Sequence, residues 1–421
     1  MTAGGALADV LRADGRRIVA VLARHLGDLQ AAEDALQDAC VSAVGVWSRG
    51  EVPRDPAAWL YAAARRKALD VVRREATRPH REEEAVHLER QLVRELPSPS
   101  TVQDDVLRLV FTCCHPSLDL DTRVALALRT LCGLSTEEVA RVLLVGDAAM
   151  SKRLTRAKQK IAVARIPFRV PAAEELPARV AGVAAVIHLV YTAGHAASGE
   201  HLQRADLCDE AIRLARLLAD LLPDQPTAEG LLALFLLTDA RRATRTDGAG
   251  ELVPLADQDR TRWDQVAIAE GTTRLARSLD ATGGLADAYQ LQAAIAATHD
   301  RAPTFAETDW REILRLYRIL AVLHPNPVVD INAAVALAEV EGPAASLVAL
   351  DAVPAPARSA AWHAAQGDAL QRLGRSAEAV AAFEHAAAVA PTAPERRHLE
   401  RRAEICGRSA PQGGAERPQI T

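Results

Sequence analysis

Residues 121 to 165 carry the pattern of a helix-turn-helix that ends in a basic helix, and no other stretch limits the chain's fold so tightly. Asp121 is placed to cap a first helix whose apolar Val124, Leu128 and Leu131 share one face, and Gly133 ends it. Ser135 and Glu138 have the S-x-x-E spacing of a capping box, in which two free N–H groups at a helix start are satisfied reciprocally. Val139, Ala140 and Leu143 lie on the second helix, and Gly146 offers a sharp backbone in the turn Leu144-Val145-Gly146. Asp147 is expected to cap the third helix. There Met150, Leu154, Ala157 and Ile161 fall at i, i+4, i+7 and i+11, one buried stripe. The other faces hold Ser151, Lys152, Arg153, Thr155, Arg156, Lys158 and Lys160. Such a helix fits the major groove, with arginine and lysine on guanine edges and phosphates. An ordinary basic, solvated helix shares the pattern, so this stretch alone leaves both readings open.

The chain has 421 residues, too many for one core, which predicts two to four domains. Hydrophobic residues make up 49% and aromatics only 3%, and alanine, leucine and arginine dominate, so helix is favoured over strand throughout. The formal net charge of -5 excludes a general basic coat for nucleic acid. DNA contact must come from local patches such as residues 152 to 165, where Lys152, Arg153, Arg156, Lys158, Lys160 and Arg165 face no acidic neighbour. None of the six cysteines forms a C-x-x-C pair. Cys113-Cys114-His115 has no second ligand pair at finger spacing, so buried, reduced cysteine is expected and no metal. Asp9, Arg12 and Asp14 argue against a signal peptide. The uncharged stretch from 180 to 199 is broken by Gly182, His188, Thr192, Gly194, His195 and Ser198, which predicts a core helix rather than a membrane span. The expectation is a cytoplasmic protein with no membrane partner.

Composition divides the chain into a compact helical block (1–76), a charged then proline- and serine-rich linker (77–103), the helix-turn-helix domain (104–168), a helical extension (169–355), a repeat (356–405) and a polar tail (406–421) expected to be disordered. Pro167 and Pro171 bracket the exit from the helix-turn-helix. In residues 360–393, Gly367, Leu370, Gly374, Ala379, Phe383, Ala386 and Pro391 stand at tetratricopeptide spacings. Small residues mark where two antiparallel helices touch, the aromatic fills the gap, and proline stops the second helix. Earlier hairpins are degenerate, at 205–222 with 226–242 and at 328–340 with 343–351. One repeat cannot bury its own face, so the hairpins should stack on one another with a groove suited to a protein or peptide partner.

The first block pairs two unlike helices. In residues 28 to 43, Ala32, Ala35, Leu36, Ala39, Cys40 and Ala43 make a buried face, and Glu33, Asp34, Gln37 and Asp38 make an acidic exposed one. After the loop RGEVPRDP (49–56), the helix from 57 to 76 exposes Arg65, Arg66, Lys67, Arg73 and Arg74. An acidic helix beside a basic one suggests two different partners for one small domain.

The string AEDALQDA, followed by P-x-x-P-A-A-W-L, A-R, D and R-R, resembles region 2 of bacterial RNA polymerase sigma factors of the extracytoplasmic-function (ECF) type. LSTEEVAR with MSKRLTRAKQKI resembles their region 4. DQDRTRW (257–263), AAIAATH (293–299) and the repeat resemble the subfamily with a long helical, tetratricopeptide-containing C-terminal extension. The resemblance implies an all-α, non-catalytic protein without cofactors. Its partners would be core RNA polymerase and promoter DNA, with a protein or peptide for the extension. Glu33, Asp34, Gln37 and Asp38 match positions that dock on the polymerase. Trp59, Arg65, Arg66, Lys67, Arg73 and Arg74 match the segment that opens and holds the −10 element, with the 49–56 loop as a pocket for a flipped base. Ser151, Lys152, Arg153, Thr155, Arg156 and Lys158 match the −35 reader. For Trp59 and Tyr61, core packing is the favoured reading over base stacking.

Three positions depart from the pattern: Arg66 stands where asparagine is common, Gly146 where proline is frequent, and Tyr191-Thr192-Ala193-Gly194-His195 where a more acidic string is usual. The alternative is a tetratricopeptide-containing helix-turn-helix regulator that binds operators without acting as a sigma factor, but it leaves residues 28–74 unexplained. A helical enzyme with Asp257, Asp259, Arg260 and Asp264 as its site explains neither end of the chain. Those residues are expected to cap helices and form surface ion pairs.

Overall fold

The computed structural model describes residues 2–50, 52–75 and 99–409. The described residues are all-α, with isolated bridges at Gly199–Thr392 and Thr246–Leu252. They divide into two compact units. One holds residues up to Tyr191 together with Arg213–Gln225, and the other holds Thr192–Ile212 and the chain from Pro226 onward. The first unit therefore does not end at the Pro167–Pro171 bracket.

In the first unit, α1 (Ala3–Leu26), α2 (Leu29–Trp47) and α3 (Pro56–Glu75) pack on one another. Gly27 adopts a φ of 67°, so the chain can turn sharply after α1, and Asp28 caps α2 by accepting from the Ala31 N–H at 3.1 Å. Leu29, Ala32, Ala35, Leu36, Ala39, Ala43 and Trp47 make the buried face of α2; Cys40, expected there, is only half-buried. Their small volumes let α1 and α3 approach closely. Helix α4 (Pro99–Cys113) begins within the expected linker, whose stretch from 77 to 98 lies outside the described residues. It lies on α1, and its Asp105 is fully buried between Arg24 (3.3 Å) and Arg108 (2.8 Å).

The helix-turn-helix consists of α5 (Leu120–Leu126) continued by a π-helical turn (Ala127–Leu131), then α6 (Thr136–Val142) and α7 (Asp147–Val163). Gly133, with φ 75°, ends the first part, and the Ser135–Glu138 capping box is fully formed. Two caps differ from expectation. Asp119, not Asp121, caps α5, because its carboxylate reaches both the N–H and the hydroxyl of Thr122. Asp147 lies in the first turn of α7, where it faces the helix dipole without making a capping bond. The turn also bends elsewhere: Gly146 is extended (φ −67°), and Leu144 takes the left-handed conformation (φ 52°). Met150, Leu154, Ala157 and Ile161 are buried as their spacing predicts.

Helix α8 (Leu176–His195) is long and apolar enough to cross a bilayer by length and composition. Val180, Val183, Ala184, Val186, Ile187 and Val190 are nonetheless buried in protein. At its start, Arg179 donates to the Phe111 carbonyl at 2.8 Å with its guanidinium 5.7 Å from that ring's centre. Each of these valines and Ile187, removed from water, contributes about 1.5–3 kcal/mol.

Helix α9 (Ala205–Leu221) follows, and most of the second unit is a series of helices in which sequence neighbours pack on one another: α10 (Pro226–Asp239), α11 (Gln265–Ala281), α12 (Ala288–Arg301), α13 (Trp310–Leu323), α14 (Pro327–Val340), α15 (Pro343–Asp351), α16 (Ala360–Arg372), α17 (Ser376–Ala388) and α18 (Ala393–Ser409). The hairpins expected at 328–340/343–351 and 360–393 fall on the contacting pairs α14–α15 and α16–α17, whereas the one expected at 205–222/226–242 is divided, since Arg213–Gln225 belongs to the first unit. Helix α18 carries the chain three residues beyond Cys406; the rest of the expected tail lies outside the described residues. This unit's early and late parts are joined. The Gly199 N–H donates to the Pro391 carbonyl at 2.9 Å, the Gly199 carbonyl accepts from the Ala393 N–H at 2.8 Å, and Glu251 takes both Arg397 and Arg401 at 2.7 Å.

Candidate polymerase and nucleic-acid interfaces

Helix α2 turns its small residues inward, which leaves Asp34, Gln37 and Asp38 in solvent. Gln30 donates to Asp34 at 2.6 Å, one helical turn away. Val41, 70% exposed, and Val44 continue this strip, so the acidic face ends in an apolar one. Sequence reasoning missed the two valines, although their period with Asp34 and Asp38 was available. Glu33 departs from the expected exposed set. Its carboxylate accepts from Thr130 Oγ1 at 3.0 Å and pairs with the Lys158 ammonium.

The basic helix α3 exposes Arg66, while Arg65 and Lys67 are half-buried. Arg66 Nε donates to the Ala62 carbonyl, which lays its stem along the helix. Arg73 and Arg74 fall in the last turn of α3, and their side chains lie outside the described residues. Tyr61 is buried in the core, as packing predicts. Trp59 is partly buried and meets buried Trp47 edge-on, with ring centres 5.4 Å apart. Both flank the loop between α2 and α3, and Trp47 Nε1 is a buried donor without a hydrogen-bond partner among the described residues.

On α7, Ser151, Lys152, Thr155 and Arg156 are exposed on the faces opposite the buried stripe. Arg153 is half-buried near Asp119, whose carboxyl is held below its usual range first by the Thr122 hydroxyl and N–H and also by Arg153. Lys158 and Lys160 were expected to face no acidic neighbour. Lys158 instead meets Glu33 and is 11% exposed, and Lys160 donates to the Ser117 carbonyl. Tertiary packing brings those partners in from residues distant in sequence.

Cysteine and histidine hold no metal cluster among the described residues. Cys113 and Cys114 are buried, and burial pushes the Cys114 thiol up to about 12, so it stays protonated. In the second unit, the DQDRTRW and AAIAATH strings come together. Asp259 bonds Thr261, and Asp264 caps α11. Arg260 is not on the surface: it donates to the carbonyls of His299 (2.7 Å) and Ala302 (2.8 Å) and lies 4.8 Å from the Trp263 ring centre. His195, in the string at 191–195, accepts from Arg245 through its carbonyl at 2.9 Å. These strings build a buried polar framework, which accounts for their residue types without chemistry.

Three family models match. Residues 10–78 match Sigma-70 region 2, residues 108–161 match Sigma-70 region 4, and residues 179–279 match a family of unknown function (DUF6596). The chain is 41% identical over 387 residues to the uncharacterized protein R00370 of Rhizobium meliloti (strain 1021), with 90% of each chain covered. No solved structure matches.

Proposed function

The chain belongs to the sigma-70 family, as an ECF-like sigma factor with a helical extension, and from that premise we propose that it docks on core RNA polymerase, melts the −10 element and is regulated in cis by its extension, acting in the cytoplasm. Promoter recognition follows from the family. The observation that carries the finer reading is the pair of chemically opposite faces in the first unit: the acidic-apolar strip of α2 and the exposed cationic face of α7. A carboxylate strip running into exposed valines suits a basic, partly apolar protein surface, since buried apolar area adds affinity while charge guides approach. Lys152 and Arg156 suit duplex phosphates and guanine edges.

The basic face of α3 and the loop framed by Trp47 and Trp59 suit single-stranded DNA. Cations track the backbone, and the loop beside the Trp47–Trp59 pair is the candidate pocket for a flipped base. Separation from duplex is costly, so a melted −10 strand needs such compensation.

For the extension, we take a docked, activity-requiring role over that of an independent adaptor. The chain passes between the two compact units three times, after residues 191, 212 and 225. A cut after Pro171 would also strip α8 from Phe111. The informative test is therefore transcription in vitro with core polymerase on a genomic fragment library, comparing the wild-type chain with Asp34→Lys/Asp38→Lys. Both side chains are exposed, so the fold should survive while core binding and run-off transcript are lost. Wild-type co-purification of the doubly changed protein with core polymerase would refute the docking assignment.

A further inference from the structure

Helix α13 starts at Asp309, which caps it by accepting from the Glu312 N–H at 3.0 Å, and no glycine or proline interrupts it. Its apolar side chains divide between two faces. Ile313, Leu314, Leu316 and Leu320 are buried in a core shared with α12 and α14. Opposite them, Arg311, Arg315, Arg318 and Val322 fall at i, i+4, i+7 and i+11, one row along about 16 Å of helix. All four are exposed, Val322 to 80%. Leu323 and, at the start of α14, Val328 are exposed as well, so the cationic row ends in an apolar patch. The core of this unit makes no use of that patch.

Both ends of the row are held in place. Asn326 accepts from the Val328 N–H at 2.9 Å and Pro327 opens α14, which fixes the backbone beside the apolar end. Arg315 donates through Nε and Nη2 to Glu312 at 2.7 and 2.6 Å, and Arg318 Nη2 donates to Glu341 at 3.3 Å. A guanidinium has five N–H donors, so these bonds leave room for a second carboxylate. Surface pairs of this kind are worth about 0–1 kcal/mol, so they orient the arginines without closing them to another acceptor.

The chemistry of the row selects its occupant. Duplex phosphates would satisfy the arginines, but they offer Val322, Leu323 and Val328 nothing, and Glu312 and Glu341 repel them. A helix with carboxylates three and four residues apart, followed one turn on by leucine or valine, matches the row position for position, because both helices rise equally per residue. Charge guides its approach and apolar burial adds affinity. Helix α2 of a second copy carries such a strip, but polymerase docking uses it.

We propose that the row from Arg311 to Val322, with its apolar end, docks an acidic amphipathic helix of a partner protein. The extension then carries a recruiting surface besides those assigned to polymerase and promoter. Its test needs neither polymerase nor promoter, so this proposal and the sigma-factor reading stand or fall separately.

Fluorescence anisotropy of the full-length chain with a labelled helical peptide provides the test. The peptide carries glutamate at i, i+4 and i+7 and leucine at i+8 and i+11 of an alanine background, and a shuffled peptide of the same composition is the reference. The patterned peptide should bind about tenfold or more tightly than the shuffled one. Arg315→Glu/Arg318→Glu and, separately, Val322→Asp should each weaken it about tenfold or more. Arg262→Glu, at an exposed arginine elsewhere in the unit, should change it by less than about twofold. Equal binding of the two peptides overturns the proposal, and so does binding indifferent to both α13 variants. A DNA duplex whose binding is lost in Arg315→Glu/Arg318→Glu would give the row to nucleic acid. Self-association of the wild type, seen in sedimentation and lost in that variant, would give it to a second copy. Either result overturns partner docking.

Discussion

Gly367 of α16 lies against the ring of Phe383 of α17, so close that a Cβ at 367 would come within 2.7 Å of the ring's Cε1. The ring is buried among Leu370, Ala379, Ala386 and Leu399, and Arg402 covers its face at 4.6 Å. It has no space into which to retreat. Gly367→Ala should therefore destabilise the second unit by about 1–3 kcal/mol, as overpacking of a filled core does. Thermal unfolding of the full chain would read the loss. If the extension is required for activity, transcription from a cognate promoter should fall with it, while the fold of the helix-turn-helix persists.

Leu144 predicts the opposite sign. It holds φ 52° in the turn before α7 and is 82% exposed, so its side chain gains little from the position that strains its backbone. Glycine adopts this conformation without a Cβ clash. Leu144→Gly should raise the stability of the first unit by about 0.5–1 kcal/mol, allowing for glycine's greater entropy in the unfolded chain. An unchanged or lowered melting temperature would show that Leu144 makes a contact outside this chain or that the turn relaxes otherwise.

Asp300 gives the extension a specific pH dependence. Its carboxylate is fully buried, both oxygens lack a hydrogen bond, and Arg241 stands 3.9 Å away. Burial pushes its pKa from the ordinary carboxylate value of 3.8 up to about 7, against the pull of Arg241 and Arg260. Between those values the folded state binds more protons than the unfolded one, so this group's contribution to stability falls as pH rises and levels off above about 7. Asp300→Asn removes that term. The stability difference between variant and wild type should be near zero at pH 4 and grow to on the order of 1–3 kcal/mol at pH 8. His195 and His299, both pushed down to about 3 by burial, destabilise the two proteins alike in acid, so the difference isolates Asp300. A difference that does not change with pH would contradict this account.

Lys152 and Arg156 should divide between base reading and phosphate contact. Alanine at a base-reading position costs about 1–3 kcal/mol and relaxes specificity at one base pair, whereas loss of a phosphate contact weakens all sites and lowers the salt slope by about 1. Binding isotherms for the full chain on −35 duplexes at several salt concentrations separate the two. Unchanged affinity in the double variant would remove α7 from the DNA interface.

Short-range periodicity was enough to read the helical class, the buried stripe of α7, the inward face of α2 and the Ser135–Glu138 box. The reason is physical: side chains three and four residues apart share a helix face wherever the helix sits. Motif order likewise identified both sigma regions. Positions set by fine local geometry were less legible. Asp119 and Asp121 are both able to cap, and only the formed helix start selects Asp119. Likewise, Gly146 is the residue best suited to a left-handed turn, yet packing places that strain on Leu144.

What the sequence by itself determined is therefore the set of helices, their apolar faces and the family they serve. The tertiary structure alone decided which charges remain free. Glu33 and Lys158 are 125 residues apart, and no periodic pattern relates an acidic helix to a basic one at that separation. Their pairing depends on α2 packing on α7, and the π turn brings the Thr130 hydroxyl to the same carboxylate. Arg260 was equally opaque, since a charged residue looks solvated until the carbonyls of His299 and Ala302 are folded around it. Burial energies are set by local pattern, but the partner of a charge is set by the path of the whole chain.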